Sequence, residues 1–287
     1  MLKKPYAKAC EKAMKQHSTS FYQAFSGLPS PRREAVFVIY TFCRMIDDSM
    51  DEPENSVYTL DELEAHFRNL EQADGHFIWP SLRWLFDTFP NLQPAPFLTQ
   101  MKGQRMDEAN TIYLTFDQLE DYCYHVAGSV GEMLLPVLHD YPNEQIVQAG
   151  IQLGKAMQIV NILRDVGEDL ERGRRYLPLT IMTAFDYTEE ALHSKEISSE
   201  FRQMVDNMMT IAQGWFAEGL AGLDTYPEDS AFAITLASSY YAAIMDVIKE
   251  NDYDVFHNRA YVPQVRKLAL YQAARKQRSR RKRESIT

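Results

Sequence analysis

Cysteine is scarce in this 287-residue chain: Cys10, Cys43 and Cys123 stand far apart, with no C-x-x-C pair. That excludes a disulfide framework and a cysteine-built zinc site, and it fits a reducing compartment. Glycines are few (12) and the 13 prolines fall mostly in short turn-like clusters such as "FPNLQPAP", with no linker among them, so one domain is expected despite the length. No unbroken apolar run approaches the ~20 residues of a membrane-spanning helix. The opening "MLKKPYAKAC" is basic but has no apolar stretch of the secretory-signal kind. The expectation is a cytoplasmic protein with at most peripheral membrane contact. Positive charge is also in deficit, with a formal net charge of −10, which argues against nucleic-acid binding. Strand signals are missing too: no pair of β-branched runs brackets an Asn-Gly or Asp-Gly turn.

What is present is helical periodicity, with 45% hydrophobic residues to bury. "SPRREAVFVIYTFCRMIDDSM" offers Ser30 as N-cap and Pro31 as the first helical residue, and Pro53 stops the run. "TLDELEAHFRNLEQA" carries Leu60, Leu63, Phe67 and Leu70 on one stripe. "TFDQLEDYCYHVAGSVGEMLLPVLHD" reads as one long or broken helix kinked at Pro136. Gly150–Gly173 reads as another, closed by Gly173. The fold class is therefore all-α: a single-domain helical bundle over residues 1–274 around one buried centre. Residues 275–287, which include "RKQRSRRKR", form a basic tail expected to be disordered. Such a tail can tether weakly to an anionic membrane surface, each basic residue adding up to about 1 kcal/mol.

Two stretches set carboxylates against apolar sequence: "FCRMIDDSMD" (Phe42–Asp51) and "QIVNILRDVGED" (Gln158–Asp169). At 100° per residue Asp47 and Asp51 share a helix face with Arg44 and Tyr40, while Asn161, Asp165 and Asp169 recur every four residues after Gln158. Carboxylates so concentrated repel one another unless something positive lies between them. Mg²⁺ is the economical candidate, since it takes a few carboxylates, waters and phosphate oxygens. Zinc or iron would want the His or Cys that neither stretch offers. Arg44 and Arg164 beside the acids suit a diphosphate by bidentate contact. The bland alternative, two solvated acidic helix ends, fits poorly with the apolar residues that flank both rows.

These residues reach a family. "DDSMD" and "NILRDVGED" resemble the two aspartate-rich motifs of the squalene/phytoene synthases, the head-to-head trans-prenyltransferases. "HSTSF" (His17–Phe21), "YCYHVAGSVGE" (Tyr122–Glu132), "ERGRRYLP" and "YDVFHNRAYV" are similar to further family motifs, in the family's order. The resemblance implies a bundle of the class I isoprenoid synthase type with a central apolar cavity. It also implies condensation of two allylic diphosphates through a presqualene-type cyclopropylcarbinyl diphosphate. Carried over residue by residue, it implies that Asp47, Asp48, Asp51, Asn161, Asp165 and Asp169 hold two or three Mg²⁺ ions. His17, Ser18, Ser20, Arg44, Arg164, Tyr241 and Arg259 would contact diphosphate. Phe21, Tyr40, Tyr124, Val126, Gly128, Leu153 and Gln158 would line the hydrocarbon and cation region, with Tyr124, Arg164 and the aspartates counted as catalytic. Gly128 and Gly131 have an alternative use in close helix packing. Thr19 stands where many relatives carry lysine, which implies that one diphosphate cation is missing or is supplied elsewhere.

For chain length, Phe37 lies about 15 Å along the helix from Asp47 at 1.5 Å per residue. With Phe25 it is read as the floor of a tunnel sized for a farnesyl chain. The overall resemblance is to bacterial dehydrosqualene (diapophytoene) synthases, which implies farnesyl diphosphate as substrate, C30 carotenoid biosynthesis, and no use of NADPH. Geranylgeranyl diphosphate with phytoene as product, or NADPH with squalene, are the alternatives, and no G-x-G-x-x-G fingerprint is present. Outside the family, a class I terpene cyclase would lack "VAGSVGE", and a di-iron bundle would need Glu-x-x-His pairs that His66, His76 and His139 do not complete. The remaining alternative is a non-enzymatic helical scaffold recruited to membranes by its basic tail.

Overall fold

Six of the described helices start where a short polar side chain satisfies a free backbone N–H. Thr59 and Thr115 close capping boxes with Glu62 and Gln118 at the heads of Leu60–Arg68 and Phe116–Cys123. Asn143 accepts from the Ile146 N–H at the start of Glu144–Arg164, and Ser198 does the same for Phe201 at Ser199–Gly219. The computed structural model describes residues 1–109 and 112–284. Among the described residues the one β-type contact is an isolated bridge between Ile112 and Arg175, so the all-α expectation holds.

Two apolar cores form. The first gathers Phe42, Trp79 and Phe97 from the helices Arg32–Asp51, Ile78–Thr88 and Ala95–Ala109. The second gathers Ile159, Phe201 and Met208 from Glu144–Arg164 and Ser199–Gly219. Leu153 and Met157 pack against both, and the central cavity opens beside them. The helix Glu228–Glu250 contributes to each core. It corrects one expectation from composition, because its length and hydropathy would pass for a membrane span, yet 61% of its most apolar window is buried in the bundle.

Glycine brings the cavity-bearing helices together. A Cβ added at Gly131 would lie 2.2 Å from the Gly150 carbonyl oxygen, and one at Gly154 would lie 2.1 Å from that of Ala127. Ser129–Leu138 and Glu144–Arg164 therefore meet backbone to backbone.

Several boundaries differ from the sequence expectation. Pro31, not Ser30, stands at the N-cap of Arg32–Asp51. The irregularity in 116–138 is a single π turn, Tyr124–Gly128, in which the Ser129 N–H reaches the Tyr124 carbonyl; Pro136 sits in the last turn of Ser129–Leu138 instead of marking the break. The second acidic helix begins at Glu144 and breaks at Asp165 (φ −105°, ψ 14°) before resuming as Val166–Glu171. The break lets Gly167 seat against the Val255–Phe256 backbone: its N–H meets the Val255 carbonyl at 3.1 Å, and an added Cβ would lie 2.5 Å from the Phe256 carbonyl oxygen. Gly173 (φ +73°) ends the second piece, as its sequence position suggests. The tail expected to be disordered from Arg275 continues instead as the helix Gln264–Glu284. Ala274 is buried, and Arg278 binds Glu228 at 2.7 Å and Asp229 at 2.6 Å, which ties the helix to Glu228–Glu250. Residues 285–287 of that tail lie outside the described residues.

Two glycine substitutions should have opposite signs. Gly154→Ala must push two helix backbones apart and is expected to cost about 3 kcal/mol. Gly214→Ala, mid-helix with nothing within 4 Å of the new methyl, is expected to gain about 0.5–1 kcal/mol. Urea denaturation of the two variants measures both.

Candidate active site

Two hollows meet inside the bundle. The apolar one, about 400 Å³, is walled by Phe21, Phe25, Leu134, Leu138, Met157, Ile234 and Ala237 among others. The polar one, about 380 Å³, is walled by seven carboxyl side chains (Asp47, Asp51, Glu52, Asp107, Asp165, Glu168 and Asp169) and five arginines (Arg44, Arg164, Arg172, Arg174 and Arg259). Arg44, Asp47, Val126, Gln158, Asn161, Arg164 and Arg259 line both, so this is one hollow with a charged end and an apolar end.

Each acidic row reaches the charged end from its own helix. On Arg32–Asp51, Asp47 accepts from Gln104 at 2.8 Å and Gln100 at 3.4 Å. Burial pushes its carboxyl up to about 7, with the charges of Asp51, Asp48 and Asp107 adding to that and Arg44 opposing it. Asp51 pairs with Arg174 at 2.9 Å and Arg172 at 3.4 Å. Asp165, at the helix break, takes two bonds from Arg164 at 2.7 and 2.5 Å and one from Arg259 at 3.2 Å. Asp169 is raised to about 7 by burial and by the Asp165 charge.

His17, Ser18, Phe21, Phe25, Tyr40, Arg44, Asp47, Val126, Leu153, Gln158, Asn161, Arg164, Tyr241 and Arg259 all line the apolar end, as the sequence pattern suggests, and Asp51, Asp165 and Asp169 line the charged end. The aromatic faces converge there: Phe21 lies 5.3 Å from Tyr241 and 6.4 Å from Tyr40, centroid to centroid.

Five expected residues are not on the walls. Asp48, one step of 100° past Asp47, pairs with Arg44. Ser20 precedes Phe21 on a different face of its short helix. Tyr124 donates to Glu132 at 3.2 Å, away from both hollows. Gly128 is behind the wall, where a Cβ would lie 3.0 Å from the Tyr124 ring and 3.2 Å from Ile151, so its use is close packing. Phe37 stacks on Tyr22 at 6.0 Å, one layer behind the cavity, leaving Phe25 alone of the two expected floor residues.

The sequence reading passed over a buried cluster at the charged end. Asp107 accepts from Tyr176 at 2.6 Å and Tyr122 at 3.0 Å, and the two hydroxyls lie 3.2 Å apart. Burial raises the carboxyl and both phenols. The signal for Asp107 was its i, i+4, i+7 spacing with Gln100 and Gln104; for Tyr122 it was its place four residues before Val126. Arg174 and Tyr176 fall within "ERGRRYLP". Near Thr19, buried Lys267 donates to the threonine hydroxyl at 3.2 Å.

Comparisons with known proteins agree with this geometry. The family model for squalene/phytoene synthase matches residues 14–266. The chain belongs to the squalene/phytoene synthase family. It is 36% identical over 279 residues to a phytoene synthase of Arthrospira platensis, covering 90% of this chain and 89% of that one. A 15-cis-phytoene synthase of Synechocystis sp. is 36% identical over 277 residues, covering 90% and 81%. Among solved structures, a dehydrosqualene synthase crystallised with a ligand superposes with TM-score 0.89 at 34% identity, over 95% of this chain and 96% of that one. Members of the squalene/phytoene synthase family are prenyltransferases that couple prenyl diphosphates head to head. In this member the two acidic rows and the apolar hollow stand together as such a coupling requires.

Tyr176→Phe strips a 2.6 Å bond from a buried carboxylate. It is expected to cost about 1.5–3 kcal/mol at pH 8. Because burial raises Asp107, acid neutralises it in the folded protein first, so the cost should shrink toward that of a neutral bond, about 0.5–1.5 kcal/mol, as pH falls to 4. Denaturant titrations at the two pH values check both size and trend.

Proposed function

We propose that this enzyme joins two molecules of farnesyl diphosphate head to head, using Mg²⁺, to give dehydrosqualene through a cyclopropylcarbinyl diphosphate. The observation that carries the reading is the single hollow whose charged and apolar ends share Arg44, Asp47, Asn161, Arg164 and Arg259.

The charged end fits Mg²⁺ by the chemistry of its donors. It offers oxygen ligands only, with seven carboxyls against five guanidiniums, and the buried Asn161 Oδ1 has no hydrogen-bond partner. Among the described residues no three acidic, His or Cys side chains are grouped tightly enough to hold an ion alone, so water and phosphate oxygens would have to complete its coordination. Asp47, Asp51, Asn161, Asp165 and Asp169 would hold it. Bound there, Mg²⁺ would offset the charge growing on a departing diphosphate.

The chain's own residues supply the rest. Arg44, Arg164 and Arg259 can turn from their carboxylates to phosphate oxygens. Phe21, Tyr40 and Tyr241 present ring faces where an allylic cation would form. The apolar walls keep water from that cation. Phe25, with Leu138, Tyr226 and Ile234, bounds the prenyl tail. The dehydrosqualene synthase likeness favours farnesyl diphosphate, while the curated phytoene synthases favour geranylgeranyl diphosphate.

Incubation with each diphosphate and Mg²⁺, with and without NADPH, is expected to give dehydrosqualene from the farnesyl substrate in both cases. Phytoene formed in preference, or squalene appearing only with NADPH, moves the reading to those products. Phe25→Ala is expected to shift the geranylgeranyl-to-farnesyl rate ratio by about tenfold. Phe37→Ala, a buried ring behind the wall, is expected to lose about 3–5 kcal/mol of stability and to move that ratio less.

The enzyme's greasy substrates also bear on the helix Gln264–Glu284. Tyr261, Val265 and Leu268 are 75%, 82% and 56% exposed, and the basic run follows them. We infer that this edge rests on anionic bilayers. Sedimentation with vesicles should show binding to anionic but not to neutral lipid, weakened by salt and by V265S/L268S; equal recovery with both lipids overturns it.

A further inference from the structure

A second, outer groove of about 510 Å³ runs along the far side of the Ser129–Leu138 helix, bounded by Pro96, Pro136, Tyr141, Pro142 and Val147. Leu135 is the residue it has in common with the apolar hollow of the site. The seam between Ser129–Leu138 and Glu144–Arg164 explains why. Toward the charged end the helices touch at Gly131 and Gly150, with no room for even a methyl group. One turn further along, the Leu135 side chain fills the seam, and a Cβ added at Gly150 would lie 2.9 Å from its Cδ1. On the Glu144–Arg164 helix, Gly150 faces the inner hollow and Val147, one turn earlier, faces the outer groove.

We propose that Leu135 is a removable partition that adds a second limit on chain length beside the one at Phe25, and that the outer groove takes the distal end of a longer prenyl chain once that partition is cut back. The charged end fixes the diphosphate, so extra isoprene units can go only toward the deep end, where Leu134, Leu135 and Leu138 stand. The groove's prolines, Tyr141 and Val147 offer apolar surface to such a tail; its other lining is polar or acidic, Glu132 and Asp140 included, with no cation for a headgroup. Leu135 is 4% exposed, so the two spaces are closed from each other by a well-packed side chain. Truncating it leaves a gap that an apolar chain can enter.

The inference rests on the proposed prenyl diphosphate chemistry, and the test separates the two. Wild-type turnover of farnesyl or geranylgeranyl diphosphate tests the chemistry; the ratio between chain lengths tests the partition. Rates are compared, by product identification, for the diphosphate the wild type prefers and the one longer by a single isoprene unit. Leu135→Ala is expected to raise the long-to-short ratio at least about tenfold, the size that a methylene-scale change in a hydrophobic pocket produces. In the double variant L135A/V147W, the indole fills the outer groove and the ratio is expected to return to that of the wild type. A ratio within twofold of wild type for folded Leu135→Ala overturns the proposal. So does a gain that survives in the double variant, since the extra room would then lie wholly inside. Where Leu135→Ala does not fold, Leu135→Val is read in the same way, with a smaller gain expected.

Discussion

Arg174 reaches Asp51 across the charged end of the hollow, and that pair joins the two halves of the site. Asp51 ends the first acidic helix; Arg174 follows the second. The reach depends on Gly173, whose positive φ turns the chain back so that the Arg174 N–H meets the Asp169 carbonyl at 2.8 Å. Arg172 comes to the same carboxylate from the other side of that turn. Without such crossing pairs, seven acidic side chains would face one another with nothing to hold the rows at a common distance. The arginines thus act as placeholders that keep the rows spaced, each able to exchange a carboxylate for a phosphate.

The same arrangement works against stability. Asp47 and Asp169 are both lifted to about 7, so folding must accommodate carboxylates that burial and neighbours disfavour. Proteins tolerate that kind of local conflict where a ligand resolves it. Here the cores on either side are dense and apolar, and they provide the surplus that lets a poorly matched charged pocket persist between them.

Much of this was legible because it is local. Helix class, caps and the i, i+4 rows follow from neighbours along the chain, and Asp47, Asp51, Asp165 and Asp169 do face one hollow. What failed was helical phase over longer spacings. Ten residues from Phe37 to Asp47 leave the two side chains some 80° apart at 100° per residue, and Phe37 stands behind the wall. Tyr124 lies half a turn from Tyr122, so of the two tyrosines in "YCY" the first faces the charged end. The Asp107–Tyr122–Tyr176 cluster was legible only in fragments, through the spacing of Asp107 with Gln100 and Gln104 and of Tyr122 with Val126, since it joins residues up to 69 positions apart. Its members carry no shared spacing that a single sequence reveals.

The break at Asp165 shows why distant contacts decide a site that local periodicity seems to define. An unbroken helix would carry Asp169 onward in the same row as Asn161 and Asp165. Instead Gly167 is pinned to Val255–Phe256, a segment some 90 residues later, and Arg259 comes with that segment to Asp165. The glycine therefore does two jobs at once: it seats the helix break against Val255–Phe256 and admits the length of chain that delivers a guanidinium. A larger residue there would disturb both, through backbone alone and without touching a charged group.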